Sequence, residues 1–119
     1  MAQIISIHEY ELKPGASADQ LEQTFQAAQA RGLFELPGLM AHHFLKGVKG
    51  DRRDGFAAVW VYESREAWER LWGPLDRPWR SDEYPENWRI WEKEFLAPIL
   101  SGDPDAIRFT AYEELAVGA

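Results

Sequence analysis

The sequence has 119 residues, a formal net charge of −7 and no cysteine, which argues against nucleic-acid or anionic-membrane partners and excludes disulfides and cysteine-ligated metals. With 45% hydrophobic and 28% charged residues, we expect one globular domain over residues 1–119. The N-terminus has no basic segment followed by an apolar stretch, and no run approaches the roughly 20 apolar residues of a membrane span, so we expect a cytoplasmic protein.

The chain begins with a predicted strand and helix. Residues 3–12 alternate between two faces, which predicts a strand, and Pro14-Gly15 ends it in a turn. Ser17 with Gln20 three positions later forms the capping-box pattern, which predicts that a helix begins there.

The middle of the chain predicts a hairpin and a second helix. Residues 39–46 and 56–63 read as strands, joined by a polar loop over residues 47–55. Ser64 is suited to cap a short helix, which Gly73-Pro74 then stops.

The last third predicts a second helical piece and a final strand. A loop over residues 75–83 precedes Pro85, which suits the first turn of a helix, and residues 107–115 read as a strand. The element order predicts an α+β fold of βαββαβ type, with a four-stranded antiparallel sheet and helices on one face. Trp88, Trp91 and Phe95 recur at helical spacing and are interpreted as core.

The sheet face without helices is predicted to be an interface. We expect it to carry the apolar residues Ile4, Tyr10, Phe56, Trp60 and Tyr62. Such a face is too apolar to remain in water, so we expect a symmetric homodimer through the sheet.

Two segments resemble the dimeric α/β-barrel superfamily. Residues 10–15 (YELKPG) resemble its opening strand and turn, residues 59–68 (VWVYESREAW) are similar to its third strand and following helix, and Pro37-Gly38 precedes the second strand. The likeness spans nearly the whole chain and is nearest to antibiotic-biosynthesis-monooxygenase-like proteins. It implies ferredoxin-like units that pair through their sheets into a dimeric α/β barrel. The activities it implies include cofactor-independent oxygenation of aromatic polyketides, haem degradation and muconolactone-type isomerisation.

The sequence departs from the haem-degrading members of that superfamily. Their iron-ligating histidine would fall near Trp72, and their first-strand asparagine near His8. Because the helix after Ser64 contains no histidine, we do not expect haem degradation, and we expect no cofactor.

Three residues are predicted to be catalytic: His8, Tyr62 and Tyr10. His8 shares a strand face with Ser6 and Tyr10, and in the barrel this face would point towards the cavity. A histidine with an ordinary pKa near neutrality suits deprotonation of a phenol or hydroquinone. The tyrosines would donate to a substrate oxygen. In the alternative reading, His8 is a half-buried strand residue bonded to a neighbour.

A further set of residues is predicted to bind the ligand. Trp60 and Phe56 would hold an aromatic ring, and the loop residue Trp79 would either cover the pocket or dock on the partner subunit. The adjacent His42 and His43 must point to opposite faces, so they cannot chelate one ion together, and no metal site is expected. The alternative is that these aromatics fill the core of the dimer. The full predicted set is Trp60, Phe56, Ser6, His42, Trp72 and Trp79.

Two functions follow from these patterns. The first is a cofactor-independent monooxygenase or isomerase acting on a small aromatic or polycyclic molecule. The second is a non-catalytic dimeric protein, either a ligand carrier or a structural module. An open cavity with polar groups between sheet and helices favours the first, and a sheet face packed solid by aromatics favours the second.

Overall fold

The computed structural model describes residues 2–117 and contains one antiparallel sheet. Its strands run in the order β2-β3-β1-β4. The predicted first strand is shorter than expected because Leu12 makes only an isolated bridge to Leu100. The strand bounds are Ile4–Tyr10 (β1), Leu39–Lys46 (β2), Phe56–Tyr62 (β3) and Phe109–Glu113 (β4).

Three helical segments accompany the sheet: α1 (Ala18–Ala30), α2 (Arg65–Trp72) and α3 (Glu86–Ile90), which continues as a π-helix over Trp91–Leu96. The predicted helix starts at Ser17 and Ser64 are confirmed, while Pro85, expected in the first turn, is the N-cap of α3. The Gln20 N–H donates to Ser17 Oγ at 3.2 Å and the Ser17 N–H donates to Gln20 Oε1 at 2.9 Å. Helix α2 has only the first of these two bonds: the Ala67 N–H donates to Ser64 Oγ at 3.1 Å.

One sheet face packs against the helices and forms the core. Ile4, Tyr10, Trp60 and Tyr62 lie on this face and are buried, and Phe56 lies on it partly buried. The prediction that these residues form the face without helices is therefore wrong. The reason is their bulk: the helices cover the face with the larger aromatic side chains, since burying it removes more apolar area from water.

The opposite sheet face carries the alternate residues of each strand. Ile5 lies opposite Val61 and Ile7 opposite Val59, so four aliphatic side chains meet in its centre. None of the described helices covers this face, and its members are half-buried or exposed. The predicted apolar open face therefore exists, but with the other set of residues, because a strand alternates with a period of two.

Candidate functional site

A cavity of about 360 Å³ lies between the sheet and the helices. Ligand pockets for small molecules occupy roughly 300 to 1,000 Å³ and are mostly apolar with a few polar groups. Strands β1, β3 and β4, helices α2 and α3, and the loop after α2 all contribute to it. The lining residues are Ser6, His8, Tyr62, Trp68, Trp72, Gly73, Pro74, Leu75, Pro78, Tyr84, Trp88, Glu92, Leu96, Pro104, Asp105, Ile107, Phe109 and Ala111.

The sheet side of the cavity is built on a pair of polar residues in β1. His8 Nε2 lies 3.1 Å from Ser6 Oγ, because residues two apart on a strand point to the same face. The other ring nitrogen of His8, Nδ1, is buried and has no hydrogen-bond partner within residues 2–117. A buried polar atom without a partner costs about 1–3 kcal/mol, so it marks a place where a ligand group could add stabilisation.

Aromatic rings surround His8 on three sides. Its ring centroid is 5.9 Å from that of Trp60, 5.8 Å from that of Trp88 and 5.6 Å from that of Phe109. This burial lowers the pKa of His8 to about 4, because an imidazolium would lose its hydration. The argument that His8 has a pKa near neutrality is therefore wrong, and the residue is neutral at pH 7.

Tyr62 and Trp72 form the wall beside the sheet. Burial raises the pKa of Tyr62, and a side-chain hydrogen bond with Trp72 opposes this rise only in part. The phenol consequently stays protonated at neutral pH and can donate a hydrogen bond.

Trp72 connects the aromatic walls of the cavity. Its ring makes edge contacts with Tyr84 at 5.2 Å and with Trp88 at 5.1 Å between centroids. Edge-to-face contacts fix the angle between rings, so the walls are pre-organised by their own packing.

Glu92 lines the cavity from the π-helix. The Ala97 N–H donates to the Glu92 carbonyl at 2.9 Å. Donor and acceptor are five positions apart, as in a π-helix, where an α-helix would have four. Burial, and then the neighbouring Asp105 and Asp103 carboxylates, raises the pKa of Glu92 to about 7. The carboxyl group therefore changes its charge close to physiological pH.

Asp105 approaches the cavity from the segment before β4. Burial, followed by repulsion from Asp103, raises its pKa, while a side-chain hydrogen bond with Tyr84 opposes the rise. Burial, with smaller contributions from Asp105 and Glu92, raises the pKa of Tyr84 to about 12. The cavity thus has two carboxyl groups and a phenol near one another.

Sequence reasoning missed Glu92, Asp105 and Tyr84. One signal was available for Glu92: it follows Trp88 by four positions and precedes Leu96 by four, so it interrupts an apolar helix face. Nothing in the sequence indicated that the loop residues would reach the same cavity.

Three of the predicted site residues lie in the core and outside the cavity lining. Tyr10 and Trp60 are fully buried, and the Tyr10 hydroxyl has no partner among the described residues. Trp60 supports the cavity from behind, with its ring 5.0 Å from that of Trp88. Phe56 pairs with Tyr10 at the far end of β3.

The remaining two predicted ligand residues also lie elsewhere. The His42 ring stacks on Trp60 at 5.8 Å between centroids, and its Nε2 lies 3.2 Å from Gln29 Oε1. Trp60 pairs with Ser6 on one side and with His42 on the other, so it separates His42 from the cavity residue Ser6. Trp79 donates its backbone N–H to the Trp72 carbonyl at 2.8 Å and packs on the loop after α2. His8, Ser6, Tyr62 and Trp72 are the predicted residues that the structure brings together.

Metal-ligating clusters and membrane-spanning helices are both absent from the described part of the chain. Residues 2–117 contain no group of three or more His, Cys, Asp or Glu side chains placed to hold a metal ion. No helix in that range is long and apolar enough to cross a membrane.

No protein-family model matches the sequence, and no curated protein matches it. Solved structures do match its fold. A dimeric ferredoxin-like protein of unknown function from Thermobifida fusca is 16% identical with a TM-score of 0.57, and the match covers 95% of this chain and 90% of that chain.

Two other matching structures are named as oxygenases. A candidate antibiotic biosynthesis monooxygenase from Caulobacter crescentus is 12% identical with a TM-score of 0.62, covering 96% of this chain and 91% of that chain. A variant of SnoaB, a cofactor-independent oxygenase from Streptomyces nogalater, is 14% identical with a TM-score of 0.54, covering 98% and 95%. The predicted fold is confirmed: the chain has the ferredoxin-like α+β fold that these solved structures share.

Proposed function

We propose that the protein binds a small aromatic molecule in the cavity between sheet and helices, and oxygenates it without a cofactor. The observation that carries the proposal is the His8–Ser6 pair, which lies in the wall of a space lined by aromatic rings, with the second imidazole nitrogen buried and without a partner in the described residues. Flat apolar walls suit an aromatic body, and a few polar groups suit its oxygen substituents.

The proposed reaction uses molecular oxygen as the oxidant. In a polycyclic phenol that has a methylene group in the neighbouring ring, the ionised ring system can pass electrons to oxygen directly. The methylene carbon then loses its two hydrogens, which leave in the water formed. One oxygen atom becomes the new carbonyl, and the other leaves as water. The protein would have to position the substrate and stabilise its oxyanion.

His8 and Tyr62 are the residues proposed to contact the substrate oxygen. Neutral His8 can share a hydrogen bond through its free nitrogen, and Tyr62 can donate its hydroxyl hydrogen. With a pKa of about 4, His8 is a weak proton acceptor, so its proposed role is hydrogen bonding to the substrate. The similar folds of SnoaB and of the Caulobacter protein support this class of reaction.

The proposed assembly is a homodimer through the open sheet face. Ile5, Ile7, Val59 and Val61 form its aliphatic centre, and none of the described helices covers them. A sheet of a second copy would remove this area from water at about 25 cal/mol per Å². The Thermobifida fusca protein of similar fold is dimeric, which supports the pairing of two copies.

A non-catalytic ligand carrier is the second candidate. The low pKa of His8 and the complete burial of Trp60 favour it, because neither residue is then available for proton transfer or for direct ligand contact.

Measuring oxygen consumption distinguishes the oxygenase from the non-catalytic carrier. The protein is incubated with planar phenols, naphthoquinols and anthracyclinone-like polycycles, and oxygen uptake is followed with an electrode. We expect uptake with one class, with turnover about 10²–10³-fold lower in His8→Phe, the loss typical of removing one oxyanion-stabilising donor. Binding without uptake would support the carrier.

A further inference from the structure

This inference rests on the proposed small-molecule site and names the class of its ligand. We propose that the cavity selects an aromatic compound that carries a protonated amine, with the ammonium group beside Glu92 and Asp105 and the ring against Trp72 and Trp88.

The charges of the cavity lining are of one sign. Its ionised groups are the carboxylates of Glu92 and Asp105, and no lysine or arginine occurs among the described residues that line it. His8 does not supply a positive charge either, because burial keeps it neutral. An anionic group at the Glu92 and Asp105 end of the cavity would therefore meet repulsion, and a cationic group there attraction.

The walls provide a second form of cation recognition. Trp72, Tyr84 and Trp88 are held at steep angles to one another, with interplanar angles of 84° for Trp72–Tyr84 and 71° for Trp72–Trp88. All three rings line the cavity, and a cation over a ring face is attracted by the ring quadrupole. Indole rings are the strongest of the aromatic side chains in this contact.

The polar end of the cavity is independent of these carboxylates. His8 Nδ1 is a buried nitrogen that lacks a partner in the described range of residues, and it lies on the sheet side. A ligand with an amine at one end and a ring hydroxyl or carbonyl at the other would satisfy both sides of the space at once.

Charged and titratable groups lie near Glu92 on several elements. Asp103 and Asp105 face it from the segment before β4, Tyr10 from β1 and Tyr84 from the preceding loop, while Lys93 is the adjacent residue of its own helix. Lys93 is exposed and opposes the other contributions only weakly. The surroundings of Glu92 are therefore negative, and a bound ammonium group would balance them.

The pH dependence of binding follows from this arrangement. The ammonium group favours ionised Glu92, so affinity should rise as pH increases through about 7, and binding near neutrality should release a proton.

Isothermal titration calorimetry tests the inference with matched probes. Arylmethylamines, arylmethanols and arylacetates with a benzene, naphthalene or anthracene body differ in charge more than in shape. At about pH 8 we expect one amine to bind about tenfold or more tighter than its alcohol, the scale of a charge-assisted contact. The acetate should bind more weakly than the alcohol.

Two variants identify the group responsible. Glu92→Gln should reduce the preference for the amine, Glu92→Gln combined with Asp105→Asn should abolish it, and the affinity for the alcohol should stay unchanged. Glu94→Gln is the matched control, because this residue is two positions away, exposed and paired with Arg31 at 3.6 Å, and it should keep the preference.

The outcomes separate this inference from the function on which it rests. Equal affinity for amine and alcohol, or tighter binding of the acetate, would overturn the inference and leave the aromatic site intact. An undiminished preference in Glu92→Gln, or any preference in Glu92→Gln/Asp105→Asn, would also overturn it. Failure of all probes to bind would overturn both proposals.

Discussion

His8 Nε2 contacts Ser6 Oγ at 3.1 Å across one face of β1, which leaves Nδ1 as the buried ring nitrogen without a partner in residues 2–117. The pair fixes the orientation of the imidazole ring beside the cavity. It also makes the residue costly to ionise, because a second proton would place a charge among Trp60, Trp88 and Phe109.

The first prediction concerns stability in acid. The pKa of His8 falls from 6.5 to about 4 on folding, so the unfolded chain binds a proton that the folded chain does not. Its contribution to stability is complete above pH 6.5 and is lost as pH falls towards 4, by roughly 3 kcal/mol in all. His8→Phe should lose less unfolding free energy than the wild type over this range in urea denaturation. Ser6→Ala retains the imidazole and should keep the wild-type pH dependence of the unfolding free energy. The same pH dependence in wild type and His8→Phe would contradict the assignment of this effect to His8.

Glu92 gives a pH dependence of stability with the opposite sign to that of His8. Its pKa rises from 4.5 to about 7 on folding, so the folded protein retains a proton that the unfolded chain releases, and stability falls as pH rises from about 4.5 to above 7. Glu92→Gln cannot ionise and should raise the melting temperature at about pH 8 but have little effect at about pH 4. Glu94→Gln, an exposed residue of the same helix, should show no such gain. A lower melting temperature for Glu92→Gln at the higher pH would refute this prediction.

The cavity wall depends on the backbone of Gly73. Its φ of 89° and ψ of 163° fall in a region that is essentially restricted to glycine, and a Cβ there would lie 2.5 Å from the Trp79 nitrogen. Gly73→Ala should therefore cost about 3 kcal/mol or more of unfolding free energy. Gly15→Ala is the control, since that glycine also has a positive φ, of 88°, but nothing within 4 Å of an added Cβ. Equal losses in the two variants would show that the contact with Trp79 has no effect.

The proposed dimer has a direct test in Val59, which lies opposite Ile7 on the open sheet face. Val59→Lys would place a charge in the centre of an apolar interface, which is unfavourable. Light scattering after size-exclusion chromatography should give a dimer for the wild type and a monomer for the variant. Gln23→Lys, on the exposed side of α1, should remain dimeric. A wild type that is monomeric at all concentrations would exclude the interface.

Much of the fold could be predicted from local patterns. The capping box of Ser17 and Gln20, the cap at Ser64 and the bounds of β2 required only neighbouring residues, and all are confirmed. The alternation of β1 correctly placed Ser6 and His8 on one face. It could not show which face the helices cover, because a period of two divides a strand into two sets without saying which is inside.

The candidate site was predictable only in part. Ser6, His8, Tyr62 and Trp72 were recognisable as polar or aromatic residues on predicted elements, and they line the cavity. Glu92 could be recognised only as a charged residue on the apolar helix face of Trp88 and Leu96. Asp105 could not be placed at the cavity, because the segment before β4 has no periodicity. The lowered pKa of His8 depends on Trp88 and Phe109, which are distant in sequence.

The most direct test of the central claim is to fill the cavity. Ala111 lines it from β4, and Ala111→Phe would occupy the space without removing any polar group. Tryptophan fluorescence of wild type, Ala111→Phe and Trp79→Phe is titrated with the panel of planar aromatic compounds. We expect saturable quenching in the wild type and in Trp79→Phe, because Trp79 is outside the cavity lining. We expect no saturable quenching in Ala111→Phe. Equal quenching in all three proteins would contradict a ligand site in this cavity.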